Sequence, residues 1–304
     1  MKKLLIFLLT VALLLPLTAC GGTDSSAYTI VATNFAAYDF ACEIVGRDNT
    51  SFDVTFIAGG DAHSFDPTFG DVAKIEKADL FLYVGGDSDT AIDTLLKGMD
   101  RPNTFKLIDQ VDLLHAKEEH EDDHDHDHAS LHDEHVWTSP ENAILIVTAL
   151  CEEIALIDPE NAALYRSNTM AYINTLIDLD RRFAELFENQ SKTIVFGDRF
   201  PLLYFAERYQ MRYEAAFPSC QATSEPSPTR VSELIALCQE ENITHIFHIE
   251  GGAHSVCDRI AADCGGKAVL FHACHKVSAS EMASGATYLS LMEANYLALK
   301  EALS

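Results

Sequence analysis

The first feature of this chain that could do chemistry is an acidic, histidine-rich tract at residues 118–135. It reads EEHEDDHDHDHASLHDEH and holds six of the thirteen histidines, interleaved with carboxylates. Apart from Leu131, no side chain in it can bury apolar surface, so we expect a solvated loop. Imidazole and carboxylate groups together bind zinc and its neighbours in the first transition row. A charged linker that happens to contain histidines is the alternative, but three consecutive Asp-His repeats favour metal binding.

Further ligand-type side chains follow the segments that we predict to be strands. Ligands of open parallel sheets bind beyond the carboxyl ends of the strands, and the residues at these ends are the natural candidates. One more candidate precedes the helix that begins after Ser139. These residues are His63, His135, Asp198, Glu250, His272, Cys274 and His275. Each has an ordinary alternative as a surface or capping residue, but their recurrence at one edge predicts a shared site.

The elements that must position these side chains alternate between β-rich runs and amphipathic segments. This alternation predicts α/β units with parallel sheets and covering helices. The predicted strands are 28–33, 52–57, 79–84, 193–196, 244–249 and 268–271. The predicted helices are 36–45, 71–77, 140–157, a long one that restarts at 158–160, 202–209, 228–241, 253–263 and a final one through Tyr288 and Leu299.

The long helix after residue 158 carries one apolar stripe over roughly 28 residues, which corresponds to about 40 Å. A rod of this length is expected to join two lobes. Ser139, Pro140 and Glu141 suit the N-cap, the first turn and the positive dipole end of the preceding helix. We therefore predict an N-terminal α/β lobe at 28–157 containing the histidine-rich loop 115–135, a linking helix at 158–190, and a C-terminal α/β lobe at 191–304.

The amino end has the pattern of an export signal. Two lysines precede an apolar run of about 14 residues, which is too short for a spanning helix of roughly 20. The run ends in Leu17-Thr18-Ala19-Cys20, which resembles a bacterial lipobox. We expect residues 1–19 to be a signal peptide, Cys20 to be lipidated, and residues 20–27 to tether the protein to the outer face of the cell membrane.

Composition excludes several classes of protein. A net charge of −26 argues against a nucleic-acid binder. Seven cysteines follow Cys20, none in a CxxC pair, so zinc-finger spacing is missing and disulfide pairing stays open. Cys42, Cys151 and Cys238 lie on apolar helix faces and are expected to be small buried side chains. No hydrolase or phosphate-loop motif occurs, so we predict a binding protein and not an enzyme.

The mature chain resembles the substrate-binding lipoproteins of bacterial zinc and manganese ABC importers. The matching parts are the lipobox, the His63 loop, the histidine-rich insertion, the His135-Val136-Trp137-Thr138-Ser139-Pro140-Glu141 motif and the long helix. The resemblance implies two α/β lobes joined by a rigid helix, with one metal ion between them. It also implies two histidine ligands from the first lobe, and His63 and His135 match these positions.

The second lobe departs from that family pattern. A third ligand is expected after Phe196, where the chain has Gly197, Asp198 and Arg199. Asp198 is the nearest substitute, although an ion pair with Arg199 or Arg230 is an equal alternative. His272 stands where the family usually has an acid. The predicted ligands are His63, His135, His272 and Asp198, and the alternative ligands or supporting residues are Cys220, Glu225, Glu250, Cys274 and His275. Cys220 and Cys274 could instead form a disulfide.

The resulting functional prediction is a monomeric, lipid-anchored receptor that captures Zn²⁺, with Mn²⁺ as the other metal, and delivers it to an ABC permease with its ATPase subunit. The tract histidines, His120, His124, His126, His128 and His132, are predicted to be low-affinity accessory sites. Alternatives are an exported zinc-dependent hydrolase using Glu250 as a base, a manganese receptor, or a surface adhesin without a permease.

Overall fold

The computed structural model describes residues 27–57, 66–99, 103–115, 132–217, 225–251 and 254–304. Its first half is built on a parallel sheet with strand order β2-β1-β3-β4. The strands are β1 (Tyr28–Ala32), β2 (Phe52–Phe56), β3 (Leu80–Tyr83) and β4 (Thr104–Lys106), and the helices are α1 (Phe35–Val45), α2 (Phe69–Lys77) and α3 (Thr90–Lys97). Alternate residues of β3 enter two different apolar clusters, so the sheet is covered on both faces.

The second half repeats this architecture with strand order β6-β5-β7-β8, again all parallel. The strands are β5 (Ile194–Phe196), β6 (Tyr213–Ala215), β7 (His245–His248) and β8 (Lys267–Leu270). The helices are α6 (Leu203–Tyr209), α7 (Pro228–Glu240), α8 (Ser255–Cys264), α9 (Ala279–Ala283) and α10 (Tyr288–Leu303). The predicted fold class, two parallel-sheet α/β lobes, is confirmed.

Two helices connect the sheets. They are α4 (Pro140–Ile157) and α5 (Ala162–Phe187), and the 26 residues of α5 span about 39 Å. Tyr172, Leu176, Leu179 and Phe183 lie in its buried stripe, as the apolar periodicity predicts. Ser139 does occupy the N-cap position of α4, but its hydroxyl makes no capping hydrogen bond, so that part of the expectation was wrong.

Four elements were missed by the sequence prediction: α3, β4, β6 and α9. The two strands have three residues each and lie at sheet edges, which is too short for a periodic pattern. The five-residue α9 forms because Ser278 and Glu281 make a capping box at its start.

The predicted signal peptide and most of the tether, residues 1–26, lie outside the described residues. Within the described part of the chain, no helix is both long enough and apolar enough to cross a membrane. The boundaries of the lobes and of the linking helix stay predictions.

Candidate functional site

His135 is fixed in one orientation before it meets any ligand. It lies just ahead of a short 3-10 helix, Val136–Thr138, and only 4% of it is exposed. The carboxylate of Asp133 accepts both its backbone N–H, at 2.8 Å, and its Nδ1, at 3.1 Å. Because a carboxylate only accepts, Nδ1 carries the proton and Nε2 keeps the lone pair. A histidine held in this way is ready to bind a metal through Nε2.

The loop after β8, residues 272–275, faces this position from the second lobe. Glu250 holds it, since Oε2 accepts the N–H of Ala273 at 2.7 Å and Oε1 accepts the N–H of His275 at 3.0 Å. Cys274 adopts a left-handed backbone conformation with φ of 58°, which turns the chain sharply between these two amides. The loop is therefore shaped by hydrogen bonds before any ion arrives.

First-lobe groups also bind this loop. The indole N–H of Trp137 donates to the carbonyl of Ala273 at 2.8 Å, and the backbone N–H of Phe35 donates to the carbonyl of His275 at 2.9 Å. The Tyr288 hydroxyl at the start of α10 donates to the carbonyl of Trp137 at 2.9 Å. These bonds connect the two halves of the protein beside His135 and His275.

The rings of His135 and His275 consequently lie close together. Their centroids are 5.9 Å apart with an interplanar angle of 73°, and the His275 ring packs edge-on against Trp137 at 5.0 Å. Two imidazoles that share one tetrahedral zinc ion at a Zn–N distance of 2.0–2.1 Å have centroids about 5.2 Å apart. A movement of less than about 1 Å brings the pair to that spacing.

His272 lies in a different hydrogen-bonding environment. It is 1% exposed, and Asn295 pairs with both its backbone N–H and its carbonyl. Its Nδ1 accepts the backbone N–H of Cys274 at 2.9 Å, so in the neutral ring the proton is on Nε2. Glu281 Oε1 is 3.6 Å from Nε2. This tautomer leaves neither nitrogen with a lone pair directed at an ion.

Asp198 and Glu225 are placed differently from each other. Both oxygens of the half-buried Asp198 accept backbone N–H groups, from Arg199 at 2.8 Å and from Ile249 at 3.1 Å. Arg230 pairs with Glu214 at 2.6 Å. Asp198 thus lies against the Ile249–Glu250 turn, whereas Glu225 is exposed.

Cys274 is a fully buried thiol, and its Sγ lies 3.7 Å from the carbonyl oxygen of His272. Burial holds the pKa of this thiol well above its usual value. The geometry therefore favours the protonated form over a thiolate ligand. Cys220, the partner in the alternative of a disulfide, lies outside the described residues.

Several other predicted residues also fall outside the described part of the chain. These are His63, His120, His124, His126, His128 and Cys20. Among the residues that are described, no group of three or more His, Cys, Asp or Glu side chains is arranged around a point that could hold a metal ion. His135 and His275 are therefore two members of a candidate site. His63, which the sequence predicts as a further ligand, lies in residues 58–65, outside the described part of the chain.

The ends of the histidine-rich tract meet at the surface. His115 and His132 form an antiparallel bridge with ring centroids 4.6 Å apart, and the backbone N–H of Asp133 donates to the carbonyl of Leu114 at 2.9 Å. The Tyr204 hydroxyl donates to the carbonyl of Asp133 at 2.8 Å. The tract therefore leaves from and returns to one point, next to the residue that orients His135.

Sequence reasoning missed three contributors to the site. Asp133 is one acid among many in the histidine-rich tract, although an acid two residues before a predicted ligand is a signal for an orienting partner. Trp137 belongs to the sequence motif but nothing in the motif indicates its contact, and Phe35 carries no signal because it acts through its backbone. These residues tie His135 and the 272–275 loop into one arrangement.

Comparison with known proteins agrees with this architecture. Residues 30–302 match the family model "Zinc-uptake complex component A periplasmic". The chain is 28% identical over 308 residues to the zinc-binding lipoprotein AdcA of Streptococcus pneumoniae, covering 99% of this chain and 61% of that protein. It therefore spans about three fifths of the length of this streptococcal relative.

A second relative is similar over nearly its full length. The high-affinity zinc uptake system protein ZnuA of Bacillus subtilis is 28% identical over 307 residues, with 96% of this chain and 95% of that protein covered. The crystal structure of the Zn(II)-bound ZnuA-like domain of S. pneumoniae AdcA superposes with a TM-score of 0.74 at 26% identity, covering 91% of this chain and 99% of that one. The chain is a member of the family of periplasmic A components of zinc-uptake complexes.

Proposed function

We propose that this protein is an extracytoplasmic receptor that captures Zn²⁺ between its two lobes and delivers it to an ABC permease. The observation that carries the proposal is the His135–His275 pair, one histidine from each half of the protein with ring centroids 5.9 Å apart. Family membership and the names of the relatives, which describe zinc binding and zinc uptake, support it.

The proposed ligands are His63, His135 and His275. His135 has the required tautomer because its Nδ1–H donates a hydrogen bond to Asp133, which leaves the lone pair on Nε2. His275 replaces His272 in this set. The backbone N–H of Cys274 donates to Nδ1 of His272, and this hydrogen bond would have to break before the proton could move from Nε2 to Nδ1 and free Nε2 for a metal. Three imidazoles suit Zn²⁺ better than Mn²⁺, which prefers oxygen ligands.

Asp198, expected from the sequence as the fourth ligand, would have to move to reach the ion, because in the described part of the chain it does not surround one point together with His135 and His275. Glu250 is proposed to act through the loop and not on the metal, because both its oxygens already accept backbone N–H groups of residues 273 and 275. Cys274 supports the turn from within the core.

The histidine-rich tract is proposed to collect Zn²⁺ with low affinity close to the main site. The two ends of the tract are paired by the His115–His132 bridge, next to Asp133, which orients His135. Ions held by the tract histidines, His120, His124, His126 or His128, would therefore be released near His135. Lipidation at Cys20 and a monomeric state complete the proposal. The anchor is supported by the similarity to AdcA, which is named a zinc-binding lipoprotein.

The family assignment favours a binding protein over the zinc-dependent hydrolase considered from sequence. The hydrolase reading also required Glu250 as a base, and both oxygens of Glu250 accept backbone N–H groups at 2.7 and 3.0 Å. The histidine pair in the interior favours a metal receptor, and an additional adhesin role is compatible with it, since one similar structure, with a TM-score of 0.72 at 25% identity, is that of the laminin-binding protein Lbp of Streptococcus pyogenes.

The test is competitive titration of purified mature protein with Zn²⁺ and a chromophoric chelator, comparing wild type with His135→Ala, His275→Ala and His272→Ala. We expect the first two to weaken the tight site at least about 100-fold and His272→Ala to weaken it far less. Unchanged tight binding in both His135→Ala and His275→Ala would refute the site.

A matched deletion separates the tract from the main site. Removing residues 118–131 spares His132 and Asp133, and with them the hydrogen bond that orients His135. We expect the tight site to keep its affinity while the weak additional sites disappear. Loss of the tight site in this deletion would mean that the tract itself supplies primary ligands.

A further inference from the structure

The outer helical layer of the second lobe contains three cysteines that play no part in the proposed zinc site. Cys238 lies near the end of α7, and Cys257 and Cys264 lie on α8, seven residues apart and therefore on one helix face. Cys238 and Cys257 belong to the apolar cluster between these helices and the sheet, and Cys264 packs against it. All three are free thiols in the structure.

The carboxyl ends of α7 and α8 are held side by side at this point. The Gln239 side-chain amide donates to the carbonyl of Asp263 at 3.1 Å, which connects the residues next to Cys238 and Cys264. Ile243 contacts both Cys238 and Cys264. Its N–H donates to the carbonyl of Cys238 at 2.8 Å, and its carbonyl oxygen lies 4.0 Å from Cys264 Sγ. The geometry thus brings two cysteine side chains together from adjacent helices.

We propose that Cys238 and Cys264 form a disulfide bond that fastens α7 to α8. The bond joins two thiols and releases two protons and two electrons, which a small-molecule disulfide or a thiol–disulfide oxidoreductase accepts as it is reduced to two thiols. Cys257 is not the partner, because its Sγ donates to the carbonyl of Ile246 in β7 at 3.2 Å and so faces the sheet.

The order of the exchange follows from accessibility. Cys264 is half-buried, while Cys238 is 1% exposed, so the thiolate of Cys264 attacks the oxidant first and forms a mixed disulfide. Cys238 then displaces the leaving thiol. Burial, followed by the neighbouring Cys264 thiol, raises the pKa of Cys238 to about 12, so this second step is expected to be slow and to speed up with rising pH.

The bond would close a loop that contains β7 and α8 and would stabilise the second lobe without touching the zinc site. A native disulfide of this loop length stabilises a protein enough to raise the melting temperature by about 5–10 °C. The proposal is independent of the zinc function, since a receptor with or without this bond could hold the His135–His275 pair.

The test uses the mature full-length protein equilibrated with a series of glutathione disulfide to glutathione ratios, then denatured and alkylated for peptide mass mapping. We expect Cys238 and Cys264 to escape alkylation as one cross-linked peptide, while Cys42 and Cys151 in the first lobe stay fully alkylated as internal controls. Alkylation of Cys238 and Cys264 at the most oxidising ratio would overturn the proposal, and so would a cross-link to Cys220 or Cys257.

Cys264→Ser is the matched variant, because this position is half-buried and serine fits it with little loss of packing. Wild type should lose the 5–10 °C of melting temperature on reduction, and Cys264→Ser should melt at the same temperature in both conditions. Equal redox dependence in wild type and Cys264→Ser would overturn the assignment. Zinc affinity should be the same in the oxidised and reduced protein, and a large change would place the cysteines in the binding site instead.

Discussion

Glu250→Gln is the most informative single change, because Glu250 holds the loop that presents His275. The side chain of Glu250 is 9% exposed, and its carboxylate accepts two backbone N–H groups, at 2.7 Å from Ala273 and at 3.0 Å from His275. Glutamine retains one acceptor and turns its NH₂ group towards the other N–H. One charge-assisted bond is lost and a buried donor is left unpaired, which costs about 1.5–3 kcal/mol.

Part of this cost should appear in zinc binding. The loop of the variant samples other conformations, and zinc has to restore the one that brings His275 to His135. We expect the zinc dissociation constant to rise about 10-fold, measured by chelator competition, and the metal-free protein to unfold at a lower urea concentration. Glu214→Gln is the control, because this 45%-exposed acid pairs with Arg230 and is worth at most about 1 kcal/mol. Reduced stability in Glu250→Gln with unchanged zinc affinity would refute the positioning role.

Two further predictions concern the frame around the site. Burial raises the pKa of Asp39 from 3.8 to about 6, so the native protein keeps this proton to higher pH than the unfolded chain does. The free energy of unfolding of wild type, relative to Asp39→Asn, should therefore fall by about 2 kcal/mol as pH rises from about 4 to about 6, measured by urea titration, and a flat difference would contradict it. Gly197→Ala should cost at least about 1–3 kcal/mol, because a Cβ there would lie 2.4 Å from Cys257 Cα, and an unchanged urea midpoint would count against that contact.

The fold could be predicted from the sequence to a large extent because its signals are local and repeated. The apolar stripe of α5, the glycine after α1 and the buried runs of β1 and β3 each specify an element without reference to the rest of the chain. The edge strands β4 and β6 could not be predicted, since three residues carry no period and their conformation is fixed by pairing with β3 and β5.

The candidate site was predictable in residue type but not in detail. Sequence placed His272 and His275 in the same loop, and the family resemblance favoured His272 as the ligand. The choice depends on which imidazole nitrogen accepts the amide of Cys274, a contact created by the left-handed turn at that residue. The orienting bond from Asp133 to His135 likewise depends on how the tract re-enters the fold, through the Tyr204 and Leu114 contacts.

Binding of Zn²⁺ between the His135 and His275 rings can be tested by crystallography of the zinc-loaded protein with data collected on both sides of the zinc absorption edge. We expect one strong anomalous peak about 2.0–2.1 Å from His135 Nε2 and from a ring nitrogen of His275. A peak bound to His272, or one located away from the His135–His275 gap, would contradict it.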